Sequence, residues 1–161
     1  MKIFKLIAFI SIIICKAAVG QISTNSDYKK FANSFSEIIK YKAYRNNICV
    51  PTICLIKIEV DTNWHVQDLS LSSSADSILK KEFDKNKHNI DIISLEKYLK
   101  LRNNKYTTFL IPLSYTLFDM PCPQQNIDVT AFDNYYKFNG KEFNGTVTFL
   151  EPFNYKITIR W

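Results

Sequence analysis

The sequence predicts an α+β fold: an antiparallel sheet with helices packed on one face. Three observations predict it. From Cys54 to Val60, apolar and polar residues alternate for most of the run, which is the period of a half-buried strand. From Tyr28 to Ile39, apolar residues recur at helical spacing, which indicates an amphipathic helix. The tail is rich in Tyr and Phe and holds two Asn-Gly dipeptides, which favours hairpins.

Length and composition favour one folded domain. The chain has 161 residues, is 47% hydrophobic, and contains 12 Phe and 9 Tyr but only 3 Gly. A chain of this kind can bury a core large enough to fold. We expect a single α+β domain over residues 21–161, built from an N-terminal helical segment (21–48), a core (49–118) and a β-rich tail (119–161).

Residues 1–20 have the pattern of a secretory signal peptide. A short basic start precedes the apolar run Leu6–Cys15, and Ala18 and Gly20 place small residues where a signal peptidase reads them. We expect cleavage between Gly20 and Gln21, and therefore an exported protein, periplasmic or secreted. The apolar run is shorter than the roughly 20 residues that span a bilayer, so no integral membrane span is expected after cleavage.

Two alternatives to a cleaved signal are disfavoured. Lys16 interrupts the apolar run, which argues against an uncleaved anchor. Ile14 stands before Cys15, where a lipoprotein signal has a small residue.

The charge pattern argues against a nucleic-acid partner. Removing residues 1–20 removes three Lys and no acidic residue, so the formal charge falls from +6 to +3. The remaining lysines are mixed with acidic residues, as in the segment Lys80–His88. Nucleic-acid-binding proteins concentrate positive charge on one surface. We therefore expect no nucleic-acid partner.

The sequence up to Ser72 predicts a helix followed by a β-hairpin. The helix is predicted over about Asp27–Tyr44, with its apolar stripe against the sheet. The first strand ends in the reversal Asp61–Trp64, where Asp and Asn tolerate turn geometry. The second strand, His65–Ser72, changes face between Val66 and Leu69, which predicts a β-bulge.

Two short helices and a third strand follow. Ser72–Ser74 is expected to cap a helix that runs through Phe83, and Asp91 or Ser94 to cap a second one through Leu99. Tyr106–Phe118 reads as a strand. Pro112 lies inside it and cannot donate to a ladder, so the strand is bulged there or has that edge free.

The tail is expected to be β-rich. Asn139-Gly140 and Asn144-Gly145 are turn dipeptides between aromatic runs. The last strand is predicted over Tyr155–Trp161, whose alternating residues share an apolar face.

The segment Val50–Phe118 resembles a TonB C-terminal-like domain. The resemblance is carried by "LIKIEVDTNWHVQDLSLSSSADSILKKEF", which reads as strand, tight turn, strand ending in Ser, and helix, and by "FLIPLSYTL", a third strand with an internal Pro. It covers a little under half of the chain. It implies a small α+β domain in which a partner's strand adds to an exposed sheet edge or its neighbour.

The sequence also departs from that family. Thr62-Asn63-Trp64 stands where the family has a turn Gly, and the chain lacks the membrane anchor and long Pro-rich spacer of a true TonB. Energy transduction to outer-membrane receptors is therefore not carried over.

The resemblance further implies that the third strand runs antiparallel beside the first. Cys122 would then lie near Cys49, and we expect a Cys49–Cys122 disulfide. Cys54–Cys122 is the second choice and Cys49–Cys54 the third. An oxidising compartment and three cysteines after cleavage are consistent with one disulfide and one remaining thiol.

The sequence offers little for catalysis. His65, with Asp61 or Asp68 as its carboxylate, is the candidate base, but it lacks a nucleophile in a suitable turn. Cys49, Cys54 and His65 supply at most three zinc ligands where a structural site takes four. We expect no catalytic residue, no metal and no cofactor.

We therefore expect an exported, non-catalytic envelope module that binds an envelope protein by strand addition. The alternative is a small secreted enzyme or inhibitor with a ligand cleft in the tail. Five aromatic residues would line that cleft: Tyr135, Tyr136, Phe138, Phe143 and Phe153.

Overall fold

The computed structural model describes residues 26–38, 52–102, 107–118 and 129–158. The predicted signal segment 1–20, its cleavage site at Gly20 and Gln21, and the cysteines Cys49 and Cys122 lie outside these residues. In chain order the elements are α1 (26–38), β1 (Thr52–Val60), β2 (Val66–Leu71), α2 (Ser77–Asn86), a 3₁₀ turn (Lys87–Asn89), α3 (Ile92–Arg102), β3 (Thr108–Phe118), α4 (Val129–Asp133), β4 (Lys137–Phe138), β5 (Lys141–Glu142), β6 (Thr148–Phe149) and β7 (Phe153–Thr158).

The predicted α+β class is confirmed, but the sheet is mixed. β1 lies between β2 and β3 and is antiparallel to both. β6 and β7 both pair with the far side of β3, and both run parallel to it. Parallel neighbours need a long crossover, and the segment between Phe118 and Thr148 is long enough to provide one. The predicted antiparallel pairing is therefore present among β1, β2 and β3, and the tail strands extend this sheet in parallel.

Three helices cover one face of the sheet. The α1 stripe predicted from the sequence is buried at Tyr28, Phe31, Phe35 and Ile38. It packs with side chains of α2, α3 and the inward face of β1 in one continuous core. Burial of each large apolar side chain contributes about 1.5–3 kcal/mol, so this face supplies most of the hydrophobic stabilisation. The part of the predicted helix after residue 38 lies outside the described residues.

The β1–β2 hairpin contains the predicted bulge. Glu59 pairs with Asp68 and Val60 pairs with Val66, which leaves Gln67 without a partner on β1. The extra residue explains why the apolar side chains of β2 change face.

The predicted cap of α2 was wrong, and the predicted cap of α3 is confirmed. Asp76, and not Ser72–Ser74, caps α2, because its carboxylate accepts the N–H groups of Ile78 and Leu79. Ser72 is instead buried, and its Oγ accepts the N–H of Leu55 at 2.9 Å. Asp91 caps α3 by accepting the Ser94 N–H at 3.0 Å, the first of the two predicted choices.

Pro112 lies opposite the gap between β6 and β7. The β1–β3 register is continuous through Pro112, so β3 is not bulged there. β6 ends opposite Leu110 and β7 begins opposite Leu113. Pro112 pairs with Leu55 at a position where a β3 backbone N–H would point away from β1. The missing donor therefore faces the gap between β6 and β7.

A second, smaller core covers the other face of the sheet. Leu55 and Leu110 are buried there beneath Phe138 of β4. The β4–β5 hairpin closes through Asn139 (φ 52°) and Gly140 (φ 75°), so this predicted turn is confirmed. Asn144-Gly145 forms a bend in the connection to β6 instead of a hairpin turn, because β5 and β6 do not pair.

Within the described ranges, no helix has both the length and the apolar character needed to cross a membrane.

Candidate functional site

The outer edge of β2 has backbone groups that point away from the sheet. The N–H of Ser72 donates to the carbonyl of Leu55 at 2.8 Å, which makes this a hydrogen-bonded pair. Bonded and non-bonded pairs alternate along an antiparallel ladder. Leu69 and Leu71 therefore fall at non-bonded positions, opposite Ile58 and Ile56. Their N–H and C=O groups point outward.

These four outward groups form a short open edge. Among the residues that the structure describes, none hydrogen-bonds to them. Leu69 and Leu71 as whole residues are only 8% and 7% exposed, and their side chains anchor β2 in the core beneath the helices. β2 thus presents an unpaired backbone row on a rigid support, which is what a second strand requires.

A groove of about 340 Å³ runs along this edge, and we call it the β2 slot. It lies between α2 with its following turn and the tip of the β4–β5 hairpin. The first side contributes Lys80, Phe83, Asp84 and Lys87, and the second contributes Asn139 and Gly140. The slot therefore joins the helical layer and the tail layer along the sheet edge.

Ser73 closes one end of the β2 slot and fixes its width. Its N–H donates to the Lys137 carbonyl at 2.6 Å, and its Oγ accepts the Gly140 N–H at 3.1 Å. Its carbonyl accepts from Lys80 Nζ at 3.0 Å. One residue thus ties the end of β2 to both sides of the slot.

The bulge sets the other end of the slot. Gln67 interrupts the ladder, and the Val66 N–H donates to Glu96 Oε1 at 2.9 Å. The regular stretch of the edge is therefore Asp68–Leu71. A partner strand that follows this edge would pair over a short length.

Charged groups flank the slot. Asp84 lies between Lys80 and Lys87 along the helical side. On the opposite face of the hairpin, Lys57 Nζ lies 3.5 Å from Asp68 Oδ2 and 2.8 Å from Glu59 Oε1. Partly exposed ion pairs of this kind contribute little free energy.

The imidazole of His65 forms no hydrogen bond with either carboxylate that the sequence suggested. The Asp61 carboxylate accepts the backbone N–H groups of Asn63 and His65 and shapes the turn, and these hydrogen bonds, that from His65 foremost, hold its pKa below the ordinary value. Asp68 faces Lys57. His65 Nδ1 instead lies 3.3 Å from Glu96 Oε2. No sequence signal connects these two residues, because 31 positions separate them.

The cysteine and histidine considered for zinc are far apart. Cys54 is buried near the start of β1, and His65 follows the end of that strand with a 66% exposed side chain. The run from Cys54 to Val60 spans about 20 Å. Within the described part of the chain, no group of three or more His, Cys, Asp or Glu side chains is placed to hold a metal ion.

The aromatic residues of the tail are used mainly for packing. Phe138 is buried in the second core, with Tyr135 and Phe143 against it. Phe153 is buried in the helix-side core, where its ring lies 5.7 Å from Phe31. Tyr136 is 53% exposed. None of these five rings lines the β2 slot.

Comparison of the chain with protein-family models, with curated proteins and with solved structures gave no match.

Proposed function

We propose that this protein is an exported, non-catalytic envelope module that binds a protein partner by strand addition at the β2 slot. The outward N–H and C=O groups of Leu69 and Leu71 carry the proposal. A strand laid beside β2 would satisfy these groups at the usual spacing of about 4.8 Å. Its alternating side chains would point toward α2 on one face and toward the Asn139-Gly140 turn on the other.

The TonB-like resemblance supports the same mode of binding. The resemblance implies the order strand, turn, strand, helix, strand, with the third strand antiparallel beside the first, and β1, β2, α2 and β3 follow that order. In this chain β6 and β7 occupy the outer side of β3. We therefore assign the binding role to the opposite edge, on β2.

The proposed export and disulfide can be checked together. Intact mass with and without reduction, followed by peptide mapping, should show a chain that begins at Gln21 and a bridge from Cys122 to Cys49 or Cys54. Cys54 is buried in the core, and the β1–β3 pairing extends to Thr52 and Tyr115, the paired residues that come nearest to Cys49 and Cys122 in the sequence. A chain that retains residues 1–20, or a Cys49–Cys54 bridge alone, would remove this support.

The first binding experiment identifies the partner. Asp84→p-benzoylphenylalanine places a photo-crosslinker in the β2 slot. Lys81→p-benzoylphenylalanine is the matched control, because Lys81 is also exposed on α2 but does not line the slot. We expect irradiation of envelope extracts to join one protein to the Asp84 variant and not to the control. Equal capture at both positions would contradict the assignment.

The second experiment tests the mode of binding. In the free protein, the amides of Leu69 and Leu71 should exchange at least about tenfold faster than the amide of Ser70, which faces β1. In the complex with the captured partner, both fast amides should become protected. A complex in which Leu69 and Leu71 continue to exchange rapidly would exclude strand addition at β2.

A further inference from the structure

A second cleft lies between the β1–β2 turn and α3. Its volume is about 570 Å³, which is within the range of roughly 300–1,000 Å³ for small-ligand sites. Trp64 lines it from the turn and Ile93 from α3. Ile93 is 68% exposed, whereas Leu95 and Leu99 of the same helix are buried in the core. The cleft shares no lining residue with the β2 slot.

Trp64 is held in place by both backbone and side chain. Its φ of 70° is in the left-handed region, which a bulky residue rarely adopts. Its N–H donates to the Asp61 carbonyl at 3.1 Å, and its ring lies 6.4 Å from that of Phe109. The turn therefore maintains an indole in the wall of the cleft where the turn geometry would favour Gly.

More positive than negative side chains line the cleft. Lys97 and Lys100 line it from α3, and neither forms an ion pair with another described residue. Glu96 also lines it, but its carboxylate accepts the Val66 N–H and contacts His65 Nδ1. The carboxylate is thus directed to the turn, while two ammonium groups remain for a ligand.

We propose that this cleft binds a small planar aromatic carboxylate. Trp64 and Ile93 would contact the flat apolar body, and Lys97 and Lys100 would neutralise the carboxylate. A concave site with apolar walls and two cations at one side suits such a molecule better than a flat surface does. This inference is independent of strand addition at β2.

The test uses 2-naphthoate as the probe and ¹⁵N-labelled mature protein. Titration should give saturable shifts of the Trp64 indole N–H and the Ile93 amide. The neutral isostere 2-naphthamide should bind at least about fivefold more weakly, because it lacks the charge. No saturable shift, or equal affinity for both compounds, would overturn the proposal.

Two double variants with the same net charge distinguish the role of the cleft lysines from a general effect of the protein's charge on naphthoate binding. Lys97→Gln with Lys100→Gln should weaken 2-naphthoate binding about fivefold or more. Lys81→Gln with Lys141→Gln changes two exposed lysines outside the cleft and should weaken it less than about twofold. Equal effects in the two variants would overturn the proposal. Sedimentation with phosphatidylglycerol vesicles without naphthoate binding would assign the surface to lipid instead.

Discussion

At the residue scale, Trp64 has a backbone conformation that is unfavourable for a residue with a Cβ atom. The usual residue for a left-handed turn position is Gly, because a Cβ adds about 1–2 kcal/mol of steric cost there. This chain places a Trp at that position, with φ of 70°. Contact with Phe109 offsets part of the cost.

Comparison of Trp64→Gly with Trp64→Ala isolates the backbone cost. Both variants remove the indole, and they differ only in the Cβ. We expect the glycine variant to be more stable than the alanine variant by about 1 kcal/mol. Urea unfolding of the two variants measures the difference. An alanine variant of equal or greater stability would show that residue 64 does not hold a positive φ.

At the element scale, the start of α2 depends on Asp76. One carboxylate oxygen accepts the Ile78 and Leu79 N–H groups, and the other accepts the Thr52 hydroxyl at 2.8 Å. Thr52 begins β1, so this carboxylate fixes the helix against the sheet as well as capping it.

We expect Asp76→Ala to lower the free energy of unfolding by about 1–2 kcal/mol, because it removes the cap. Asp76→Asn should retain most of the stability, since an amide oxygen also accepts from the first-turn N–H groups. Urea denaturation followed by far-UV circular dichroism distinguishes them. If the asparagine variant loses as much stability as the alanine variant, charge and not capping is the main contribution.

At the scale of the whole molecule, tyrosines join the helical layer to the tail. The Tyr28 hydroxyl donates to the Glu151 carbonyl, and the Tyr155 hydroxyl donates to the Ala32 carbonyl at 2.8 Å. The rings of Tyr28 and Tyr98 lie 4.6 Å apart. Burial raises the pKa of all three phenols above the ordinary value near 10.

This burial makes stability depend on pH in the alkaline range. Below pH 10 these tyrosines are neutral in both the folded and unfolded chain, so they add no pH dependence. Above pH 10 the unfolded chain loses protons that the folded chain retains. The free energy of unfolding should therefore fall as the pH rises, by at most about 1.4 kcal/mol per pH unit for each such tyrosine.

Tyr98→Phe tests this linkage with little structural change. No described residue hydrogen-bonds to the buried Tyr98 hydroxyl, so its removal should leave stability at pH 8 nearly unchanged. Between pH 10 and 11 the loss of stability should be smaller than in the original protein, by up to one tyrosine's contribution. Urea unfolding at each pH measures both values, and identical pH slopes would contradict the prediction.

The sequence was sufficient to predict those elements that depend on the pattern of neighbouring residues. The alternation in β1, the apolar stripe of α1 and the Asn139-Gly140 turn each depend on neighbouring residues, and each was predicted. The cap of α2 was misplaced because three serines and Asp76 compete within a few positions.

The candidate site could not be predicted in the same way. The outward direction of the Leu69 and Leu71 backbone follows from the pairing of β2 with β1, which no single segment encodes. The parallel pairing of the tail depends on a crossover, and the His65–Glu96 contact joins positions far apart in the chain. These features arise only when the layers assemble.

Pro112 has a consequence for the protein while it is being made. Synthesis completes β3 before the residues of β6 and β7 exist, so for that interval the outer edge of β3 is bare. Pro112 supplies no N–H to that edge and divides its row of donors into two short runs. A second unfinished chain could not pair along its full length. The same proline should therefore weaken pairing between two incomplete chains.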